Sequence, residues 1–524
     1  MSDETSTVTE QPGGDITESG GSNKGWLMAG IGVGAAALIG GGTYLGIQFL
    51  GGGGDQPDSV LPATSAAYVR VDLDPSAGQK VAAVRFFQGM DEDAKARLDQ
   101  GEWREYVFEK LQEDGTIPAD LSYEEDVKPW LGDRAGLAAI PNGEDEPIIA
   151  IAVQVKDGQK ALDAVDQIIA AGDAESQDIG YYLDDDYIVF TQEAHVDTVK
   201  AAAEQGTLSD HDAYTSDMDD LGDAGIASYW MDSERIAEMS NSLTEAQDEF
   251  GAPSAVDMMS GPFGSSPMES MSGRSAGALR LNSDSIEIHG IGRGVENFTL
   301  PELADTAQLV LDLPSDTVGA FAVENGSAWV DMIWDAYGQQ DAEGRQQVVN
   351  EAAAEGVTLP EDIKALVGDS LSLSVGPGLV EAINTMSQTE TGMPALPIAY
   401  RVDSDSTRIN TLLNDSLGLP PTALAQRTDE GILTLGMHQP YVDSLNAPAD
   451  RLGDDATFKA AVPNAADAHW LFYVNVNDFE QYYLNEVQDQ STREALEALG
   501  AVGWSATVDN DTDSHFTLRF VADQ

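Results

Sequence analysis

The feature that most constrains this chain is an order of short motifs that occurs twice in its body. Leu61–Asp72 (LPATSAAYVRVD) returns as Leu313–Glu324 (LPSDTVGAFAVE), and Asp126–Asp133 (DVKPWLGD) returns as Asp362–Asp369 (DIKALVGD). The strand pattern Ile148–Val155 matches Pro397–Val402, and a helical pattern follows each. Ala227–Asp232 (ASYWMD) corresponds to Trp470–Asn475 (WLFYVN). Each copy closes on a hairpin pattern, Ala278–Leu281 with Ile286–Ile291 and Gly503–Val508 with His515–Val521. A fold read from this chain is therefore one unit made twice, over 59–294 and 295–524.

The alternation inside the repeat predicts how the unit is built. Val69, Val71 and Leu73 alternate with Tyr68, Arg70 and Asp72, and Phe321 and Val323 fall on the parity of Val69 and Val71. Period two is the mark of a strand with unlike faces. The expectation is a buried face carrying the valines and a more polar face carrying Tyr68 and Arg70, as in a half-covered antiparallel sheet. Further strands are predicted at Arg134–Ile140, Ile148–Val155, Gly180–Leu183 and Tyr187–Thr191, with Asp184-Asp185-Asp186 as a hairpin turn. Helical patterns fall at Ser76–Gln88, Trp103–Gln112, Gly158–Ala171 and Ala194–Ala203. Helices on one face of an antiparallel sheet define an α+β domain. Pro253–Gly273 is a Gly/Ser/Pro/Met-rich insertion peculiar to the first copy. It reads as a flexible loop, or as an adaptable apolar contact through Met258, Met259, Phe263, Met268 and Met271.

Ahead of the repeat lies Trp26–Leu50, with no charged side chain. As a helix it would be about 37 Å long, enough to cross a hydrocarbon core of about 30 Å with some tilt. Residues 1–25 form a polar, acidic tail of disordered composition, and 51–58 a glycine-rich tether. The leader is acidic and the end of the apolar segment offers no small-x-small cleavage pattern, so an uncleaved anchor is expected. Lys24 before the segment, against Asp55 and Asp58 after it, puts the tail in the cytoplasm and the body outside the cell membrane. Gly30 with Gly34, and Gly42 with Gly46, make two GxxxG pairs. They suit close helix dimerisation, although glycine is also simply common in membrane helices.

Charge excludes some partners. The chain has 91 acidic and 26 basic residues, a formal net charge of −65, of which −61 lies beyond residue 25. Such a body repels phosphates, so nucleic acid is not an expected partner. Its self-repulsion suggests a protein that works at high salt. The absence of cysteine removes thiol nucleophiles, thiolate metal sites and disulfides.

The opening Leu61–Asp72, with Asp72-Leu73-Asp74-Pro75 and Trp130-Leu131-Gly132-Asp133-Arg134, resembles an actinobacterial family of membrane-anchored proteins, domain of unknown function 3352. The second copy departs from that pattern, with Leu366 and Ser370 where Trp130 and Arg134 would stand. The resemblance implies a Gram-positive, envelope-facing protein and carries no catalytic residues.

No motif specifies chemistry. Gly273-Arg274-Ser275-Ala276-Gly277 fits GxSxG, but a strand pattern rather than a helix follows it. Asp509-Asn510-Asp511-Thr512-Asp513 starts like a calcium loop, yet Ser514 replaces the glycine and Phe520 the final glutamate, so a hairpin turn is expected. Asp217, Asp219, Asp220 and Asp223 read as a solvated acidic face. None of the six histidines, His195, His211, His289, His438, His469 and His515, is paired at helical spacing. Gly132-Asp133 and Gly368-Asp369 recur and read as a helix-ending glycine with a turn residue. The expected function is a non-catalytic binding or scaffold module of the envelope, without cofactor or metal, meeting envelope proteins. The alternatives are a carrier of a lipid or other small apolar ligand, and a hydrolase assembled only in the fold. A carrier requires large apolar residues on both sheet faces, for which Tyr181, Tyr182, Tyr229, Trp230, Trp470, Phe472 and Tyr473 are candidates.

Overall fold

The computed structural model describes residues 56–73, 122–171, 178–237, 273–294, 308–386, 395–480 and 496–523, apart from single positions within them, plus isolated residues elsewhere. The acidic tail, the apolar segment 26–50, the pattern Ser76–Gln88 and the Met-rich insertion before Gly273 lie outside the described residues. The expected helix-dimer face of Gly30, Gly34, Gly42 and Gly46 lies outside them too. Among the described residues no helix is long and apolar enough to cross a membrane.

The architecture is mixed helix and antiparallel sheet, as the alternation implied. The first half supplies β1 (Ala67–Asp72), β2 (Leu131–Asn142), β3 (Asp145–Val155), β4 (Ile179–Asp184), β5 (Tyr187–Gln192), β6 (Ala227–Asp232), β7 (Arg274–Leu281) and β8 (Ser285–Arg293). The second supplies β9 (Gly319–Glu324), β10 (Ser370–Val375), β11 (Ile398–Asp403), β12 (Ala425–Asp429), β13 (Ile432–Gly436), β14 (Trp470–Asn475), β15 (Leu499–Val508) and β16 (Ser514–Ala522). They form one sheet of order β12-β13-β11-β10-β9-β14-β15-β16-β8-β7-β6-β1-β2-β3-β5-β4. Read outward from the β16–β8 seam, the two halves have the same strand order.

The register agrees as closely as the order. Arg70 faces Gly136 on one side and Ser228 on the other; Ala322 faces Ser372 and Leu471 in the same way. Following this row outward reaches Tyr182 on β4 and Arg427 on β12. Inward it reaches His289 on β8 and Thr517 on β16, which pair directly across the seam. Smaller details recur as well. Ser65 Oγ donates to the Pro62 carbonyl and Thr317 Oγ1 to that of Pro314, both at 2.7 Å. Leu61 and Leu313 are each fully buried, beside Leu208 and Leu452, whose N–H groups donate to their carbonyls.

Helices lie on both faces, which corrects the one-sided expectation. In chain order we number α1 (Gly158–Ala171), α2 (Val196–Gln205), α3 (Asp212–Leu221), α4 (Gly326–Gln340), α5 (Glu361–Val367), α6 (Ser406–Asp415), α7 (Gln439–Ser444) and α8 (Ala456–Ala461). Helices α2, α3, α7 and α8 cover the face of Tyr68 and Trp230, burying Val199, Tyr214, Tyr441 and Phe458 against it. The other face meets α1 beside β5, through Val165 and Ile188, and α6 beside β11 and β13, through Ile409 and Leu433. Trp329 of α4 stacks on Trp470 there, ring centroids 3.9 Å apart.

The two faces are thus the reverse of the sequence expectation. Tyr68 is 1% exposed beneath the helices with Arg70 beside it, while Val69 and Val71 on the other face are only partly buried. Alternation reveals that the faces differ; which one receives helices depends on where the connections pass.

Local expectations fare well where hydrogen bonding decides them. The helix Gly158–Ala171 and the hairpin turn at Asp185–Asp186 stand as read, with Asp185 in the left-handed region. Gly368 does end α5 with φ +61°. Gly132 does not end a helix; it lies inside β2, where a Cβ would sit 2.6 Å from the Gln154 backbone. Pro57 and Asp58, read from the sequence as the end of a tether, have fixed places here: Pro57 is buried and Asp58 accepts a hydrogen bond from Tyr214.

Candidate binding surface

Among the described residues, chemistry-bearing side chains gather in the interior of the first half and at the seam, besides pairs such as Asp362 with Arg408, and the broadest feature carries none. The first place is the interior of the first half. Asp217, on α3, is 2% exposed; it accepts from the Trp230 indole at 2.8 Å and from Arg274 Nε at 2.7 Å and Nη2 at 3.1 Å. It is therefore a paired buried carboxylate and not part of a solvated acidic face. Nearby, His211 Nδ1 accepts the Tyr214 N–H, and its Nε2 lies 2.9 Å from Arg235 Nη2. Burial and the Arg235 charge hold the His211 imidazole below its ordinary range. Arg235 Nη1 donates to the carbonyls of Ala63 and Ser65. The Tyr214 hydroxyl donates to Asp58 at 2.6 Å. Burial raises the Asp58 carboxyl, and burial with the Asp58 charge raises the Tyr214 phenol. Every one of these groups is tied to a structural neighbour, so the network fixes the chain entry and α3 against the sheet.

The second place is the seam. Glu287 accepts from Arg280 of its own half at 2.9 Å and from Arg519 of the other at 2.8 Å. Burial pushes its carboxyl up, but the two guanidiniums outweigh that and hold it below the usual range. Arg280 also donates to the Leu221 carbonyl at the end of α3, and Arg519 to that of Ala460 in α8. One carboxylate thus clamps a helix from each half. His289 Nδ1 lies 3.1 Å from Thr517 Oγ1, and burial first, then Arg280, lower its imidazole to about 4.

The third feature is the face opposite the buried tyrosines. Directly paired residues project to one side of a sheet. Starting at β4, one row runs Leu183, Ile188, Val153, Ala135, Val71, Ala227 and Leu279. It continues through Ile288, Leu518, Trp504, Phe472, Phe321, Leu373, Tyr400 and Leu435 on β13. A parallel row two residues along contains Tyr181, Val69, Tyr229, Phe516, Trp470 and Leu433. Neither row contains a charged residue, in a chain of which 22% is charged. Gly277 and Gly290 leave room in the second row that the rings of Tyr229 and Phe516 fill, at 2.4 and 2.3 Å from where a Cβ would stand. Helix α1 covers this face beside β5 and α6 beside β11 and β13, while α4 meets it at Trp470 of β14; Phe472 on β14 is 39% and Leu373 on β10 43% exposed.

The aromatic candidates divide between the faces. Tyr182, Trp230 and Tyr473 lie under the helices, and Tyr181, Tyr229, Trp470 and Phe472 lie on the other side. Large apolar residues on both faces are the condition that a carrier of an apolar ligand requires. Sequence reasoning missed Phe321, Leu373, Trp504 and Leu518; the signal was parity within each strand, but only pairing aligns the strands into a row. The remaining motifs have structural places. Ser275 of the GxSxG match sits inside β7, paired with Met231 and Gly292. Asp509 and Asp513 close the β15–β16 hairpin by a backbone hydrogen bond of 2.8 Å. His469 accepts the Val508 N–H, and His515 lies 2.9 Å from Asp509. Among the described residues no three His, Asp or Glu side chains are placed to hold a metal ion. Two sets of residues singled out from the sequence lie outside the described residues: Gly30, Gly34, Gly42 and Gly46 of the apolar segment, and Met258, Met259, Phe263, Met268 and Met271 of the insertion.

Residues 26–236 match a family model described as a protein of unknown function (DUF3352), so the resemblance read from the opening motifs holds across that stretch. The match says nothing of an actinobacterial origin. No curated protein and no solved structure matches the chain.

Proposed function

We propose that the chain is a membrane-anchored, extracytoplasmic binding module made of two copies of one α+β unit, and that it acts without catalysis. The two-copy reading is supported by the common strand order and by the register that carries Arg70 onto Ala322 and His289 onto Thr517. The anchor is the apolar segment 26–50 of the sequence. One observation carries the binding reading: an uncharged row of side chains crosses the sheet, with Phe472 on β14 and Leu373 on β10 open to solvent. Exposed apolar side chains with half-buried apolar neighbours, on an otherwise strongly acidic body, support a contact site there. The occupant that suits it is an apolar ligand rather than the polar surface of an envelope protein, since the rows offer no partner for buried polar groups.

The test is photocrosslinking in intact cells from p-benzoylphenylalanine placed at position 472, with the same group at the exposed helical position Gln347 as the control. Capture from 472 and not from 347 is the expected result. Equal capture from both positions, or none from 472, overturns the reading.

A further inference from the structure

Four Asn-x-Ser/Thr sequences occur in the chain, at Asn297, Asn325, Asn414 and Asn510, all of them beyond the apolar segment 26–50. Such a sequence accepts an N-linked glycan where an exposed turn offers the asparagine together with its hydroxyl partner. The four are not equivalent. Asn297, and Ser416 of the Asn414 sequence, lie outside the described residues. Asn325 is half-buried at the start of α4, and the N–H and the hydroxyl of Ser327 both donate to the Gly368 carbonyl at 2.8 Å. The Ser327 hydroxyl is thus committed to the fold.

Asn510 is exposed at the tip of the β15–β16 hairpin. Its Oδ1 accepts the N–H of Thr512 at 2.9 Å and that of Asp513 at 3.1 Å, and Thr512 Oγ1 lies 3.1 Å from it. Its Nδ2 donates to Asp513 Oδ2 at 2.9 Å. A carboxamide nitrogen is a poor nucleophile because its lone pair is shared with the carbonyl. Donors gathered on Oδ1 stabilise the negative charge that this oxygen carries once Nδ2 loses a proton. The hairpin therefore holds Asn510, Thr512 and the acceptor of the amide proton together on an open turn.

We infer that Asn510 is an N-glycosylation site, the co-substrate being a glycan carried on a lipid-linked phosphate outside the cell membrane. In the transfer the bond from the anomeric carbon to the phosphate oxygen breaks, its electron pair leaving with the lipid phosphate. The bond from Nδ2 to the anomeric carbon forms, and one Nδ2 proton passes to a base of the transferase. The inference rests on the extracytoplasmic part of the reading above, and on nothing about the apolar face.

The experiment isolates the full chain from the cells that make it and maps its glycopeptides by mass spectrometry. Before lysis, a membrane-impermeant amine reagent reports from the exposed Lys160 and Lys459 which side of the membrane the body occupies. A glycan is expected on the Asn510 peptide. It should be lost in Asn510→Gln and in Thr512→Ala and kept in Thr512→Ser, which retains the hydroxyl and guards against a loss caused by misfolding. A glycan that persists in Thr512→Ala, or one on Asn325 but not on Asn510, overturns the assignment. An unmodified Asn510 in a chain whose lysines are labelled overturns it and leaves the extracytoplasmic reading standing. If neither modification nor labelling occurs, both fall.

Discussion

The two halves of the sheet share a frame and differ in what they bury. In the first, the third residue of α3 is Tyr214, and three positions on stands Asp217, bound to Trp230 and Arg274. In the second, the third residue of α8 is Phe458, held by an Asp455 cap as Tyr214 is held by His211, and three positions on stands Ala461. By register Tyr473 takes the place of Trp230 and Ala501 that of Arg274. Phe458 and Tyr473 meet edge to face at 5.1 Å, as Tyr214 and Trp230 do at 5.6 Å. The packing geometry survives complete replacement of the polar chemistry. It is therefore set by strand register and helix placement, and the buried charge pair is an addition to it. A buried pair adds little net stability over apolar residues, yet it punishes the loss of either partner.

Four changes test this comparison. Leu61→Ala and Leu313→Ala probe what the halves share; each empties a fully buried site and should cost about 3–4 kcal/mol in denaturant unfolding. A loss in one half more than twice that in the other would break the equivalence. Asp217→Ala probes the difference. It strands the Trp230 N–H and the Arg274 guanidinium and should cost about 3 kcal/mol. Asp217→Ala/Arg274→Ala, which gives the first half the residues of the second, should lose clearly less than the sum of its single changes. Strict additivity would mean that the pair is not coupled.

The seam gives a pH test. The His289 imidazole is lowered from 6.5 to about 4, with Arg280, Glu287 and His515 as its ionisable neighbours. Its neutral form is favoured in the fold, so the unfolded chain takes up the proton first as pH falls. Its contribution is complete above pH 6.5 and declines through the interval down to about 4, by about 2–3 kcal/mol. His289→Thr repeats on β8 the residue that faces it on β16, and thermal unfolding across that interval should become flatter. An unchanged pH profile would count against the assignment. The smallest stability effect is expected for Phe472→Ser, below about 1 kcal/mol because the ring is 39% exposed. A loss of several kcal/mol from that change would mean that the open face is core.

Much of the frame was legible in the sequence. Repeated motifs located both openings, Tyr68–Asp72 and Ala320–Glu324, and both closing hairpins, because strands and turns answer to local period and turn chemistry. Asp362 kept its place through a local bond, accepting the Thr358 N–H as Asp126 accepts that of Ser122, and a spacing of four residues shows in any sequence. The candidate surface was half legible: Tyr229, Trp470 and Phe472 stood out by type, whereas Leu373, Phe321 and Leu518 did not.

What the sequence by itself determined, then, was the period of each strand, the recurrence of short motifs in one order and the charge of the body. The tertiary structure alone decided which strand face the helices cover, so that Tyr68 lies beneath them and Val71 does not. It also decided that Asp217 meets Arg274, 57 residues away, and that separate strands align into one uncharged row. The physical reason is range. Alternation and capping act within a few residues, whereas burial, ion pairing and cross-strand alignment depend on segments that only the completed sheet brings together.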